Sequence, residues 1–280
     1  MNANLPIGVF DSGLGGLTVV HQLRRVLPDE SIIYLGDTAR VPYGTRSPAT
    51  VIRYARGCSK LLIDRGIKVL VVACNTVSAV ALDILRAELD LPVLGVVGPG
   101  ARAAVAAAEE MEARLGHPVR IGVMGTASTI ASGAYPREVS RLSTRAEVCA
   151  QPAPLLVPLV EEGWLEGEVP RLAVERYVRV LTDQGARVLV LGCTHYPLLK
   201  PIIAEVAAQL AGEEVVIVDS AEATAHTTAE LLRSRGLVST SKLGKLELLV
   251  TDMPTAFSAS AGRFLGEAVD EAVQVDITPY

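Results

Sequence analysis

Two cysteines are the strongest candidates for chemistry, because the segment around the first is repeated around the second. Cys74 belongs to KVLVVACNT, which begins at Lys68, and Cys193 belongs to RVLVLGCTH, which begins at Arg187. Each apolar run is too short for a helix and ends in a cysteine with small polar neighbours. Such runs are typical of strands buried on both faces of a parallel sheet, where ligands bind at the carboxyl ends of the strands. We therefore expect the two thiols at equivalent strand ends.

A pair of thiols suits the inversion of a stereocentre. One base must remove a proton from one face of the carbon, and an acid must return a proton to the other face. Two half-domains related by a pseudo-twofold axis would bring Cys74 and Cys193 to a shared cleft, one as thiolate and the other as thiol. A thiolate is favoured at a helix N-terminus or beside a cation. We expect a helix just after each cysteine, and His195 lies two residues beyond Cys193.

The other two cysteines provide a contrast. Cys58 is predicted in the middle of a helix and Cys149 within a strand, and we expect neither thiol to have polar company in the fold. We interpret both as small buried hydrophobic residues, the usual role of a free cysteine. The four cysteines form no CxxC pair and have no nearby histidine at metal-ligand spacing. We therefore expect free thiols, no metal and a reducing cytoplasm.

Polar residues near the predicted strand ends have two interpretations. Asp11 and Ser12 follow the strand Ile7–Phe10 and precede three glycines and a helix, so either residue could cap that helix. Asp11 is the stronger site candidate, because its strand is expected beside the cysteine strand. Tyr43 either covers the core or faces the site. Four further polar residues could cap a helix or donate to a substrate carboxylate, and the two roles are compatible: Asn75, Thr76, Thr126 and Thr194.

Strand and helix patterns alternate along the chain, which predicts right-handed βαβ units and parallel sheets. Four predicted strands occur twice in the same order, which indicates an internal duplication: 7–10, 31–35, 69–73 and 93–97, then 121–123, 146–150, 188–191 and 215–218. A helix to about Arg235, a strand over 246–251 and a helix from Pro254 to about Val269 have no counterpart. We expect them to pack back on the core.

Other local patterns concern the connections. Pro48 is expected in the first turn of a helix that runs to about Arg65. Another helix is predicted over about 76–88, and Gly98-Pro99-Gly100 is expected to close the fourth strand. The proline-rich segment Pro152–Pro158 is expected to be non-helical, because proline removes a backbone donor and restricts the residue before it.

Composition limits the partners. The chain has 280 residues, half of them hydrophobic, and a formal net charge of −5. This charge argues against nucleic acid but is compatible with a small anionic substrate, which helix N-termini can bind. No apolar run reaches the length of a membrane span, and the start has no basic segment, so we expect no membrane association and no signal peptide.

Several motifs together resemble those of the glutamate racemase family, and the resemblance covers nearly the whole chain. They are Asp11-Ser12-Gly-x-Gly-Gly, Gly36-Asp37-Thr38-Ala39 through Pro42-Tyr43-Gly44, Ala73-Cys74-Asn75-Thr76, Val157-Pro158-Leu159-Val160-Glu161 and Leu191-Gly192-Cys193-Thr194-His195-Tyr196-Pro197, with Thr251-Asp252 and Phe264-Leu265-Gly266 near the end. One departure is Ala153, where the family often has a further, non-catalytic cysteine.

The resemblance implies an enzyme without a cofactor that interconverts L- and D-glutamate and supplies D-glutamate for bacterial peptidoglycan. It implies two α/β domains, 1–98 plus about 210–280 and about 99–209, with the active site between them, commonly in a homodimer. Cys74 would act on the D enantiomer and Cys193 on the L enantiomer, supported by Asp11, His195 and Glu161. The implied substrate-binding residues are Asp11, Ser12, Tyr43, Gly44, Asn75, Thr76, Thr194 and His195.

Three alternatives are weighed against this interpretation. The nearest is a racemase of aspartate or of another amino-acid-like substrate. A two-lobed amino-acid-binding protein would bind its ligand between two halves but would have no use for a cysteine in each. Pyridoxal phosphate chemistry is disfavoured, because Lys68 and Lys200 lie at element ends without a phosphate-binding context.

Overall fold

The computed structural model describes residues 2–277, which form two α/β units. One unit contains the residues up to Val96 and those from Thr224 onwards, and the other contains Val97–Ala223. The second boundary differs from the expected position near residue 210. The reason is that Val216–Asp219 pairs in parallel with the strand Ala186–Gly192 and so belongs to the sheet of the second unit.

The first unit is built on a six-stranded sheet. Along the chain its elements are β1 (Ile7–Asp11), α1 (Leu17–Val26), β2 (Ile32–Gly36), α2 (Pro48–Asp64), β3 (Val69–Val72), α3 (Asn75–Val80), α4 (Leu82–Glu88) and β4 (Val93–Gly95). The second unit follows with α5 (Val97–Leu115), β5 (Arg120–Gly125), α6 (Ala127–Ala131), α7 (Ala134–Leu142), β6 (Val148–Pro152), α8 (Leu156–Glu161), α9 (Glu168–Thr182), β7 (Ala186–Gly192), α10 (Lys200–Ala211) and β8 (Val216–Asp219). The chain then continues through α11 (Ser220–Ser234), β9 (Leu246–Val250), α12 (Pro254–Leu265) and β10 (Val273–Gln274).

The predicted duplication matches the order of the strands. The first sheet has the order β10-β9-β2-β1-β3-β4 and the second has the order β6-β5-β7-β8. Removing β10 and β9 leaves the same arrangement in both units, and the strand pairs within each sheet are parallel. The predicted parallel α/β fold with two similar domains is therefore confirmed. The C-terminal strands extend the first sheet, as expected for a segment that packs back on the core.

The apolar runs of the central strands explain why they lie inside. Every residue of β1 and of β3 is buried, and the five residues from Val188 to Gly192 of β7 are buried as well. Burial of a Val or Leu side chain stabilises the fold by about 1.5–3 kcal/mol, so these short segments contribute much of the core. The amphipathic helix α2 begins as predicted, with Ser47 as a cap that accepts from the Thr50 amide at 3.4 Å and Pro48 in the first turn.

Two expectations about proline and glycine were wrong. The segment Pro152–Pro158 was expected to be non-helical, but Pro158 lies in the first turn of α8, where its missing N–H group breaks no helical hydrogen bond. Gly98-Pro99-Gly100 does not close a strand but lies in the first turn of α5. Gly100 packs closely against Tyr135, because a Cβ at this position would lie 3.2 Å from the Tyr135 hydroxyl oxygen.

Smaller differences concern helix lengths. The helix expected over 76–88 is divided into α3 and α4 at Ala81, whose N–H group still bonds to the Val77 carbonyl oxygen at 2.8 Å. The last helix ends at Leu265 rather than near Val269, because Gly266 takes a left-handed conformation, φ 77°, and ends it.

A buried ion pair fixes the end of the first sheet opposite the cysteine. Lys68, fully buried, forms an ion pair with Glu30 and donates to the carbonyl oxygens of Ala3 at 2.5 Å and Leu237 at 2.9 Å. Glu30 in turn accepts from the Ser239 amide at 2.7 Å. Lys68 is therefore a structural residue that connects the first strands to the returning C-terminal segment. In residues 2–277, none of the helices has the length and apolar character needed to cross a membrane.

Candidate active site

Cys74 lies where the sequence places it, just beyond the carboxyl end of β3. Val72, the last residue of β3, pairs with Phe10 of β1, so Cys74 and Ser12 both lie two residues past this pair. The Cys74 thiol donates to the Ser12 hydroxyl oxygen across 3.7 Å. Cys74 is also the residue immediately before α3, and only 5% of its surface is exposed. The first expected helix after a cysteine is therefore confirmed.

Asp11 organises the turn that carries Ser12. It is the last residue of β1, is 1% exposed, and its carboxylate accepts from the Gly13 amide at 3.1 Å. The backbone approaches so closely that a Cβ at Gly16 would stand 2.5 Å from the Asp11 Cβ atom. No side chain larger than glycine fits there without movement. The N-cap residue of α1 is Gly16, and the Asp11 carboxylate bonds to the Gly13 amide within the preceding turn.

Asn75 and Thr76 extend the same site into the first turn of α3. Both side chains are buried, each 2% exposed. Their position beside Cys74 agrees with the predicted clustering of polar groups at the carboxyl edge of the sheet. This edge of the first unit thus brings together Asp11, Ser12, Cys74, Asn75 and Thr76.

Tyr43 is held by a carboxylate that sequence reasoning did not single out. Tyr43 and Gly44 lie in a short 3₁₀ turn, Tyr43–Thr45, and Tyr43 is 1% exposed within the same core cluster as Cys74. The Tyr43 hydroxyl donates to Asp37, which is completely buried. Burial is the largest cause of a strongly raised pKa of Tyr43, so its phenol stays protonated. Tyr43 therefore both covers the core and belongs to the loop beside the site.

Asp37 gathers several donors at the end of β2. It accepts from Arg40 Nε at 2.9 Å and from the Thr251 hydroxyl at 2.9 Å, and its own amide donates to the Asp11 carbonyl oxygen at 3.1 Å. In the sequence, Asp37 could have been noticed because it directly follows a strand, but only folding brings partners such as Thr251 to it.

Cys58 lies near the groups around Asp37. Arg40 Nη2 is 3.9 Å from the Cys58 Sγ atom, so the expectation that Cys58 has no polar company was wrong.

The second unit presents Cys193 directly after β7. Its thiol is 5% exposed and its Sγ atom lies 3.9 Å from Nδ1 of His195. Nε2 of the same imidazole lies 3.1 Å from Oε1 of Glu161, the last residue of α8. Cys193, His195 and Glu161 thus form a continuous chain of polar groups. Thr194, between them in sequence, is also buried.

The helix expected just after Cys193 is displaced. His195 precedes a 3₁₀ turn, Tyr196–Leu199, and α10 begins only at Lys200. The two cysteines therefore differ in their surroundings, since Cys74 directly precedes a helix and Cys193 faces an imidazole. Thr126, equivalent to Ser12, caps α6 and accepts from the Thr129 amide at 3.2 Å.

The surroundings of the His195 imidazole favour its protonated form at neutral pH. Burial alone would lower the pKa of His195, but hydrogen bonds to Cys193 and Glu161, together with their charges, outweigh burial and raise it to about 10. A cation beside Cys193 stabilises negative charge on the sulfur. Glu161 is half-exposed, so solvent screens part of its contribution.

The remaining candidates have structural surroundings. All four cysteines are free and buried, as expected, and Cys149 lies within β6. His21 of α1 is half-buried, and its Nδ1 atom lies 2.6 Å from the Leu265 carbonyl oxygen at the end of α12. Among residues 2–277, no group of three or more His, Cys, Asp and Glu side chains is arranged to hold a metal ion.

Known proteins resemble this chain over nearly its full length. Residues 16–228 match the family described as Asp/Glu/Hydantoin racemase. A glutamate racemase from Geobacter metallireducens is 48% identical over 97% of this chain and 96% of its own. A structure of glutamate racemase from Thermus thermophilus in complex with beta-chloro-D-alanine is 43% identical, with a TM-score of 0.85 and 99% coverage of both chains. A Francisella tularensis glutamate racemase in complex with D-glutamate is 35% identical, with a TM-score of 0.86 over 99% of this chain and 100% of that chain.

The charge of His195 leads to a direct prediction. The raised pKa means that the proton is lost only as the pH rises through about 10, so ¹⁵N NMR of the imidazole shows the protonated form at about pH 8. Glu161→Gln removes one neighbouring anion and lowers the pKa of His195. His195→Gln assigns the signal, and His117→Gln, at an exposed position, is the control that leaves it unchanged. A neutral His195 imidazole at about pH 8 would contradict the assignment.

Proposed function

The chain belongs to the Asp/Glu/Hydantoin racemase family, and from this premise we propose that it interconverts L- and D-glutamate by proton transfer between two thiols. The observation that carries the proposal is the repeated placement of one cysteine at the carboxyl end of the equivalent strand in each sheet. Cys74 follows β3 and Cys193 follows β7, and these strands occupy the same place in the shared strand order. A binding protein has no need of this repetition.

The reaction needs one base and one acid, and the chain supplies both. In the D-to-L direction the Cys74 thiolate takes the α-proton, and the electron pair of the broken C–H bond remains on the substrate as a carbanion. Cys193 then delivers its thiol proton to the opposite face. The reaction ends with Cys74 as thiol and Cys193 as thiolate, the state from which the L-to-D reaction begins. No oxidant, reductant or cofactor enters this balance.

The surroundings of each thiol support its part in this exchange. Cys193 faces the His195 imidazolium, which stabilises the thiolate that removes the proton from L-glutamate. Cys74 has the Ser12 hydroxyl at 3.7 Å and precedes α3. Asp11 supports the Cys74 side by holding the turn that carries Ser12, and Glu161 supports His195.

Substrate binding is assigned to the polar groups that stand beside these thiols. Buried hydroxyl, amide and backbone N–H donors are suited to the two carboxylates of glutamate, because hydrogen bonds to a charged acceptor are the stronger ones. The assigned residues are Asp11, Ser12, Tyr43, Gly44, Asn75, Thr76, Thr194 and His195. The product D-glutamate would serve peptidoglycan synthesis, and the proposed compartment is the cytoplasm.

The test is racemisation by the wild-type protein and by single cysteine variants. Wild-type protein, free of added metal and cofactor, converts pure D-glutamate and pure L-glutamate to the racemate, followed by circular dichroism. Cys74→Ser and Cys193→Ser each lower kcat about 100-fold or more, because serine is a much weaker acid and the transfer loses its base or acid. Cys149→Ser, a buried cysteine within β6, is the matched control and retains activity.

The outcomes separate the parts of the proposal. An inactive wild-type protein would reject the enzyme. Activity of Cys193→Ser equal to that of Cys149→Ser would reject the pair of thiols. Faster turnover of aspartate than of glutamate would leave the thiol chemistry intact and overturn the substrate.

The assembly is proposed to be a homodimer, as the family resemblance implies. Light scattering coupled to gel filtration then gives a mass twice that of one chain. A mass equal to a single chain across the micromolar range would contradict the homodimer and leave the chemistry untouched.

A further inference from the structure

Each unit contains a fully buried tyrosine beside its cysteine that no part of the proposed reaction uses. In the first unit this is Tyr34 of β2, which is inaccessible to solvent. Its hydroxyl donates to the carbonyl oxygen of Gly13 at 2.6 Å. Gly13 follows Ser12, so this bond fixes the turn whose hydroxyl contacts the Cys74 thiol. The Tyr34 ring stacks on Phe257, with ring centroids 6.2 Å apart.

The turn above Tyr34 is packed without spare space. A Cβ at Gly16 would lie 3.0 Å from the Tyr34 ring, and a Cβ at Gly36 would lie 2.7 Å from the Gly13 carbonyl oxygen. Real Cβ atoms almost never come closer than about 3.0 Å to another non-bonded heavy atom, so the turn is closely packed on two sides. The Tyr34 hydroxyl adds a directional polar contact to this packing.

In the second unit a buried tyrosine at a different place in the fold, Tyr196, directly follows His195. It is fully buried, and its hydroxyl donates to the carbonyl oxygen of Ala153 at 2.8 Å. Ala153 lies between β6 and α8, and α8 ends in Glu161, the partner of His195. Tyr196 therefore joins the Cys193 segment to the segment that presents Glu161.

Both phenols are confined to the role of donor. Burial, the largest cause, raises the pKa of each tyrosine well above its ordinary value. The negative charge of Asp11 and of Cys74 adds to this for Tyr34, and that of Cys193 does so for Tyr196. Neither hydroxyl ionises at working pH, so neither acts as a base, and the hydrogen bonds to Gly13 and Ala153 persist.

We propose that Tyr34 and Tyr196 are a pair of positioning residues, one for each thiol. Tyr34 orients the turn of Asp11 and Ser12 against Cys74. Tyr196 keeps Glu161 and His195 aligned with Cys193. This inference rests on the proposed racemisation. It adds that each proton transfer depends on its own buried tyrosine, so that the two transfers can be weakened separately.

The test uses Tyr34→Phe and Tyr196→Phe, which remove one hydroxyl each and retain the ring. Tyr177→Phe, at a half-buried tyrosine on α9, is the control. The measured quantity is the primary isotope effect on kcat/KM with α-deuterated D-glutamate and, separately, with α-deuterated L-glutamate. Because the enantiomers have equal free energy, kcat/KM is the same in both directions, and only the isotope effects report which transfer limits the rate.

Tyr34→Phe is expected to lower kcat by about 5- to 50-fold, since small misplacement of a reacting group is costly. Its isotope effect increases with D-glutamate, on which Cys74 acts, and decreases with L-glutamate. Tyr196→Phe shows the opposite pattern, and Tyr177→Phe shows the wild-type pattern. Isotope effects are ratios, so a variant that folds only in part gives the same answer as one that folds fully. If one variant does not fold at all, the other tests the proposal at its own thiol.

Two results would overturn the inference. In one, the variants have wild-type kinetics. In the other, their activity falls with equal changes of both isotope effects, which would indicate a general structural role. A wild-type protein that does not racemise glutamate would instead reject the proposed function, and the inference with it.

Discussion

The parallel pairing of each cysteine strand with the first strand of its sheet is the constraint on which the rest of the site depends. Phe10 of β1 pairs with Val72 of β3, and Gly125 of β5 pairs with Gly192 of β7. Since parallel strands end at the same edge, the residues that follow each pair must meet there. The close approach leaves no room at Gly192, where a Cβ would lie 2.6 Å from the Met124 carbonyl oxygen.

The same strand arrangement supports two differently tuned thiols. On the Cys193 side, His195 and Glu161 supply an imidazole and a carboxylate, with the imidazole 3.9 Å from the sulfur and 3.1 Å from the carboxylate. On the Cys74 side the neighbours are a hydroxyl and the beginning of α3. The equilibrium between two enantiomers is fixed by their equal free energies and not by the enzyme. The two acid/base groups of a racemase therefore need not be identical. They need only be competent in complementary protonation states.

Sequence reasoning was most successful where the information is local and repeated. The two buried runs, the cysteines at their ends and the parallel fold follow from the pattern KVLVVACNT and its counterpart, because strand burial is visible in apolar runs. The helix start at Pro48 was equally readable. Pro158 and Gly100 were misread, since both occur in helix first turns as readily as in loops.

The supporting contacts could not be predicted, because they join residues far apart in the chain. The hydroxyl of Thr251 reaches Asp37 across 214 positions, and that of Tyr196 reaches Ala153 across 43. Only the sheet order brings such partners together, and a tyrosine in a strand pattern is indistinguishable from any other core aromatic. Around a site of this kind, the sequence pattern identifies the reacting groups, and the fold identifies what holds them.

The most direct test of the central claim, that two separate thiols serve the two faces of the substrate, is the fate of the α-proton in D₂O. Unlabelled D-glutamate is converted to a small extent, and both enantiomers are analysed by mass spectrometry. Two bases predict that the product L-glutamate carries deuterium at the α-carbon while the remaining D-glutamate keeps its proton, with the same pattern in the reverse direction. Product that retains the proton of the substrate would show a single base serving both faces and would contradict the account.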